Sequence, residues 1–230
     1  MTCNIIATGS DGNATIVNGG ILIDCGVTMK ALRPYSKQLR LVLLTHTHSD
    51  HFKPATVRAL AKARPALRWA CCYWMVDHLL AVGVDRRCID VVEPGQCVSY
   101  EDFASVMPER TPHNVPNCCW HVFTGGESLI YATDCGDLDG IEAEEYDMYL
   151  IEANHSRAEL EARIAEKEAA GEFAYEIKAA ENHLSREQAI DWLAQNMGPR
   201  SQWISMHQHK DKGGGANGGT PDVCENDSSF

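Results

Sequence analysis

Apolar positions recur along the chain in two different rhythms, and the switches between them predict its architecture. Short pieces rich in β-branched residues come first: CNIIAT, NATIV and GILIDC, separated by GSDGN and NGG. Both separators are turn signals, so the chain is expected to open with a hairpin and a further strand. TMKALRPYS holds at most a short helix. Leu41-Val42-Leu43-Leu44 is an unbroken apolar run bounded by polar residues, the mark of a strand covered on both faces. KPATVRALAKARP then spaces Val57, Leu60 and Ala61 for a helix and puts Pro54 in its first turn. LRWACC reads as strand, YWMVDHLLAVG as a helix ending at Gly83, and CIDVV as strand, so the order becomes β-α-β-α-β.

Strand-like pieces return after Gln96: QCVSY, FASVMPE, CCWHVFT, SLIYAT and YDMYLIEA, with GGE as a turn. Two helices follow, each announced by a capping box, Ser156 with Glu159 and Ser185 with Gln188. SQWISM is the expected last core strand. An internal echo links the two parts: GILIDCG and SLIYATDCG each run an apolar strand into Asp-Cys-Gly. Two similar halves of strands and helices predict an α/β protein packed as a four-layer αββα sandwich. Residues 1–210 form one expected domain, and the polar, Gly-rich residues 211–230 an expected flexible tail.

Composition narrows the function. With 44% hydrophobic and 23% charged residues the chain is an ordinary globular protein. A formal net charge of −12 argues against an unassisted grip on duplex nucleic acid, which needs a basic face. No apolar segment is long enough to span a bilayer, and MTCNIIATGSDGN lacks the pattern of a secretion signal. The 10 cysteines are scattered without a Cys-x-x-Cys pair, which reads as reduced, mostly buried thiols. Together these features predict a cytoplasmic protein.

Candidate chemistry concentrates in THTHSDH, directly after the apolar run. In an extended segment His46 and His48 point the same way, so both can bind one ion. Asp50 and His51 lie on the turn beyond, within reach of a second ion. Imidazole with carboxylate suits zinc, manganese or iron. Two such ions about 3.5–4 Å apart activate a bridging water for hydrolysis. His113 in a Pro-rich loop, Asp134 at a strand end and His207 after the last strand are candidates for completing the shells, with His209 as the competitor of His207. Asp134 reads equally as a turn aspartate. His78 and His121 read as structural histidines.

THTHSDH is the His-x-His-x-Asp-His signature of the metallo-β-lactamase fold hydrolases, and His113, Asp134 and His207 resemble the remaining metal motifs of that superfamily. GSDGNATIV, ILIDCG, YATDCG, IEANH, NHLSREQA and MHQHKD are similar to its YycJ-like branch, which is related to phosphodiesterases and nucleases, including the PhnP type. The resemblance implies that His46, His48 and His113 hold one divalent ion, that Asp50, His51 and His207 hold another, and that Asp134 bridges them. Zinc is the expected metal, with manganese or iron as alternatives. The resemblance also implies that Asp24 supports the metal loop without being a ligand, and that Asp50 accepts a proton from the attacking water.

A phosphodiester substrate, nucleic acid or nucleotide, is expected from the helix starts. His183 and Ser185 open one helix, and Asn154, His155 and Ser156 open another, where free N–H groups attract anions. His155, His183 and Ser185 are the candidate phosphate contacts, with His183 also a candidate proton donor. Plain capping by the two serines is the competing reading. GSDGN reads as a turn, with an anion nest as its alternative. A lactone or thioester hydrolase of the same fold is the rival activity, and a metal-stabilised binding module the third reading.

Overall fold

The computed structural model describes residues 1–101, 103–173, 177 and 181–207. The expected tail and His209 lie outside the described residues. Two six-stranded sheets face each other. The first runs in chain order through β1 (Cys3–Ala7), β2 (Ala14–Val17), β3 (Ile21–Ile23), β4 (Leu41–Leu44), β5 (Arg68–Cys71) and β6 (Ile89–Val91). The second runs through β7 (Val98–Tyr100), β8 (Ala104–Thr111), β9 (Asn117–Thr124), β10 (Glu127–Ala132), β11 (Met148–Glu152) and β12 (Gln202–Met206). Each begins with antiparallel pairs and ends with parallel ones, so the echo in the sequence reflects a repeated plan.

Side-chain alternation along the buried strands creates the layers. Leu41 and Leu43 of β4 join the core between the sheets, with Ile21, Ile23, Val106, Trp120, Val122 and Tyr131. Val42 and Leu44 point to the opposite face, against Leu32 of α1 (Met29–Leu32), Val57 and Leu60 of α2 (Pro54–Ala63) and Leu79 of α3 (Val76–Ala81). A third cluster packs Ile130, Tyr149 and Ile151 under Ala189 and Leu193 of the last helix. Both faces of both sheets are covered, which is why the strands read as apolar runs rather than alternating ones. The result is the αββα sandwich. None of the described helices is long and apolar enough to cross a membrane.

Most element boundaries fall where the sequence places them. The stretch expected as one helix from Tyr73 to Gly83 instead begins with a 3₁₀ turn, Tyr73–Met75, before α3. The helices α4 (Arg157–Ala169) and α5 (Arg186–Asn196) both form, yet only the second carries its capping box. The Ser156 hydroxyl caps nothing on its own helix. Glu187 of α5 takes its place, accepting the Arg157 N–H at 3.1 Å and lying 3.4 Å from Ser156 Oγ. A carboxylate at that end also complements the helix dipole.

Candidate metal centre

The ends of the buried strands converge on one point. His46 lies just past β4, Asp24 past β3, Asp134 past β10, Glu152 ends β11 and His207 follows β12. Three of these residues hold left-handed backbone without being glycine: Asp24 (φ 60°), Asp134 (φ 55°) and His207 (φ 49°). Such conformations cost about 1–3 kcal/mol each and persist where the surroundings over-determine them, which is common at functional sites. In both Asp-Cys-Gly segments the cysteine is fully buried and the glycine meets backbone. A Cβ on Gly26 would lie 1.6 Å from Asp50 O, and one on Gly136 2.4 Å from Glu181 O.

Four groups of potential ligand atoms, each within 4.8 Å internally, occur among the described residues. Glu109, Cys119 and His121 form one, Asp134, Glu152, His183 and His207 another, and the two that match the expected ligands are His46, His48 and His113, and Asp50, His51, Asp134 and His207. These last two adjoin, since the His46 and His51 ring centroids are 4.2 Å apart. Each imidazole but that of His48 is anchored through Nδ1 to a supporting group. His46 Nδ1 is 3.0 Å from Thr45 Oγ1, His51 Nδ1 is 2.6 Å from Asp24 Oδ2, His113 Nδ1 is 3.1 Å from the Asn182 carbonyl and His207 Nδ1 is 3.3 Å from Glu152 Oε1. With Nδ1 donating, Nε2 carries the lone pair, the arrangement that supports metal-binding histidines.

The buried polar atoms fit a metal. His46 Nε2, Asp134 Oδ2 and His207 Nε2 are buried without a hydrogen-bond partner. His51 Nε2 and Asp134 Oδ2 approach to 2.7 Å, yet the contact lacks hydrogen-bond geometry, as expected of two acceptors aimed at a common centre. Electrostatics agree. Burial disfavours a charged His51, but Asp24 and Asp134 override it and push its pKa up to about 10. Burial likewise works against ionised Asp134, yet His51 holds its pKa well below the usual carboxylate range. The same carboxylate charge that retains a proton there would retain a cation.

Asp24 is fully buried beside His51. It accepts the Thr45 N–H at 3.1 Å, the Thr45 hydroxyl at 2.9 Å and the Tyr131 hydroxyl at 3.1 Å, besides facing His51. It thereby ties the metal loop to both sheets. His207 joins the group of Asp50, His51 and Asp134.

The phosphate candidates separate. His183 comes into the site: its Nδ1 is 2.5 Å from Glu152 Oε1 and 3.6 Å from Asp134 Oδ1, and its ring stacks on that of His207 at 5.3 Å and 11°. Ser185 is occupied in capping, its hydroxyl accepting the Gln188 N–H at 3.1 Å. The start of α4, beside Asn154, His155 and Ser156, already holds the Glu187 carboxylate, which repels an anion. His155 is buried with Nδ1 unpartnered. Asn154 Nδ2 donates to the His207 carbonyl at 2.9 Å. In GSDGN the Gly9 N–H donates to Asn13 Oδ1, the Gly12 N–H to Gly9 O and the Asn13 N–H to Asp50 O. Two of those donors are spent inside the loop and the third on the Asp50 carbonyl, as in an ordinary turn.

Two residues of the site were not anticipated. Glu152 is fully buried, and its signal was an acid closing the apolar run YLIE. Asn13 places Nδ2 2.7 Å from His51 Nε2, and nothing in its surroundings along the chain indicates that contact. His78 packs its ring 6.2 Å from that of Phe52, and His121 pairs with Glu109 at 2.9 Å, away from the centre.

Comparison with known proteins agrees with this fold. The family model of the beta-lactamase superfamily domain matches residues 20–207. The chain belongs to that superfamily. Among solved structures it is similar to the short form of human tRNase Z, at 15% identity and TM-score 0.69, covering 91% of this chain and 93% of that one. It is also similar to the metallo-beta-lactamase fold protein YhfI from Bacillus subtilis, at 16% identity and TM-score 0.68, with 91% and 86% covered. Zn²⁺-bound PqqB from Methylobacterium extorquens follows at 12% identity and TM-score 0.64, with 91% and 89% covered. No curated protein sequence matches the chain significantly.

Proposed function

We propose that this protein is a dinuclear metal-dependent phosphodiesterase acting on nucleic acid or a nucleotide. The observation that carries the reading is the pair formed by Glu152 and His183 at the edge of the metal centre. In the proposed assignment His46, His48 and His113 hold one ion, Asp50, His51 and His207 the other, and Asp134 lies between them. Zinc fits this donor set best, with manganese or iron also accepted. Two such ions supply Lewis acidity to the phosphoryl oxygens and acidify a water for attack.

The chain's own residues handle the protons. Asp50 Oδ2, 3.5 Å from His207 Nε2, faces the site from a partly exposed side chain and accepts the proton of the attacking water. His183 serves the leaving group. Burial lowers its pKa, but the hydrogen bond and charge of Glu152 together with the Asp134 charge outweigh that and raise it, which favours the protonated ring. With Nδ1 committed to Glu152, the proton to be delivered sits on Nε2. A phosphodiester's alkoxide leaving group needs that proton, whereas a thioester's leaving group does not. The tRNase Z likeness lends support at the level of fold.

Metal analysis of the purified protein combined with hydrolysis of bis(p-nitrophenyl) phosphate tests the reading. About two ions per chain, with turnover that collapses in Asp134→Ala, are the expected results. Two ions with turnover of thioesters or lactones only would replace it with the carbon-ester activity. Two ions with no ester turned over would leave the binding module.

A further inference from the structure

Beside the metal centre the surface carries a cluster that the chemistry above does not use. Tyr73 is 53% exposed, in a chain whose large apolar side chains are mostly buried. Its ring stands edge-on to that of Trp74, with centroids 5.2 Å apart and planes at 78°. Trp74 is fixed: its Nε1–H donates to the Thr45 carbonyl at 3.1 Å, and its ring packs against both main cores. Arg110 completes the cluster. Its guanidinium carbon lies 5.2 Å from the Trp74 ring centroid and 5.8 Å from that of Tyr73, and Nη2 reaches the Tyr73 hydroxyl at 3.4 Å.

The cluster is placed by the same strands that place the metal ligands. Leu44 and Cys71 are register partners ending β4 and β5, so the segments that carry His46 and Tyr73 leave neighbouring strands at the same edge. Arg110 lies near the end of β8, whose continuation leads through Pro112 to His113. The Trp74 bond to Thr45 joins the cluster directly to the residue before His46. Arg110 has no carboxylate partner within ion-pair distance among the described residues; its side-chain contacts are with the Tyr73 hydroxyl and the two rings.

We propose that Tyr73, Trp74 and Arg110 form a subsite for an unpaired nucleobase and the adjoining phosphate of a single-stranded substrate. An exposed, flat aromatic ring accepts any base by stacking, and a guanidinium beside it meets the charge of the backbone. The net charge of −12 argues against an unassisted grip on a duplex, and a short single-stranded segment held at the rim is the form this cluster fits. This subsite rests on the phosphodiesterase reading and gives it a substrate class, one with bases to stack.

The test is fluorescence anisotropy of the full-length, zinc-loaded protein with a fluorescein-labelled, phosphorothioate-linked hexathymidylate and its abasic counterpart. The wild type is expected to bind the base-bearing strand more tightly. Tyr73→Ala should remove that preference, about a tenfold loss, and Tyr73→Phe should keep it. Arg110→Gln should weaken both strands alike. A wild type indifferent to the bases, or a Tyr73→Ala variant that keeps the preference, would overturn the subsite. Cleavage of unmodified oligonucleotide separates the two ideas. Base-dependent binding through Tyr73 without cleavage would sink the phosphodiesterase reading alone, and cleavage with Tyr73→Ala unaltered in binding would sink the subsite alone.

Discussion

Glu152 Oε1 and His183 Nδ1 stand 2.5 Å apart, joining the end of β11 to the turn that opens α5. Glu152 is wholly buried, and burial alone would raise its pKa, but His183 and His207 hold it below the usual carboxylate value. The acid therefore stays ionised and positions the His183 imidazole beside Asp134. Replacing His183 with Ala should lower kcat by about 10²–10⁴ for a diester with a poor, alkoxide leaving group. For a p-nitrophenolate leaving group, which departs without a proton, the loss should be much smaller. Glu152→Gln should show the same dependence on leaving group with less amplitude. Steady-state kinetics on a leaving-group series checks both, and equal losses across the series would rule out a proton-donating role.

Asp24 never reaches the ligand cluster itself, yet its removal should be felt there. It holds His51 through Nδ1 and the metal loop through the Thr45 N–H. Losing a supporting group of this kind typically costs about 10- to 100-fold in metal affinity. Asp24→Asn is therefore expected to weaken zinc binding by about that factor, measured by competition with a chromophoric chelator. An unchanged affinity would mean that the loop is held without it.

Much of this arrangement was legible in the sequence because it is local. The run Leu41-Val42-Leu43-Leu44 announced a strand buried on both faces, and its two sets of side chains do enter different cores. The Asp-Cys-Gly echo marked two strand ends with matching backbone, at Asp24 and Asp134. What stayed hidden depends on packing between distant segments. Ser156 with Glu159 has the spacing of a capping box, but Glu187 arrives from another helix and takes the N–H. Glu152 meets His183 across 31 positions, and Asn13 meets His51 across 38, distances over which no periodicity carries information. The Tyr73–Gly83 stretch has helical spacing throughout, but its first turn is tightened to 3₁₀, the turn in which Trp74 is tied to the Thr45 carbonyl.

Metal should also stabilise the fold. The centre gathers strand ends from both sheets, so an ion that binds the folded chain alone shifts unfolding by mass action. At a free concentration of a hundred times Kd this amounts to about 2.7 kcal/mol. For a domain of this size that is a rise in Tm of about 5–10 °C. Differential scanning fluorimetry with zinc against excess chelator reads it directly. Asp134→Ala should abolish most of the shift, and a Tm indifferent to both zinc and chelator would contradict the ligand assignment.

His121 offers a pH dependence that is independent of the metal centre. It lies on β9, buried, with Nε2 2.9 Å from Glu109 Oε2 and Nδ1 3.0 Å from the Tyr146 hydroxyl. Burial lowers its pKa below 6.5, and Glu109 offsets that only in part. The unfolded chain therefore takes up a proton at this residue at a higher pH than the folded one does. The contribution of neutral His121 to stability is present in full above pH 6.5 and is lost as the pH falls from there through the folded pKa. Wild type should lose Tm between pH 7 and pH values below 6.5 more steeply than His121→Gln, whose side chain keeps polar contacts without titrating. Measuring both in chelator removes the pH dependence of metal binding from the comparison. If the two slopes coincide, His121 keeps the same protonation in both states and the Glu109 carboxylate compensates its burial fully.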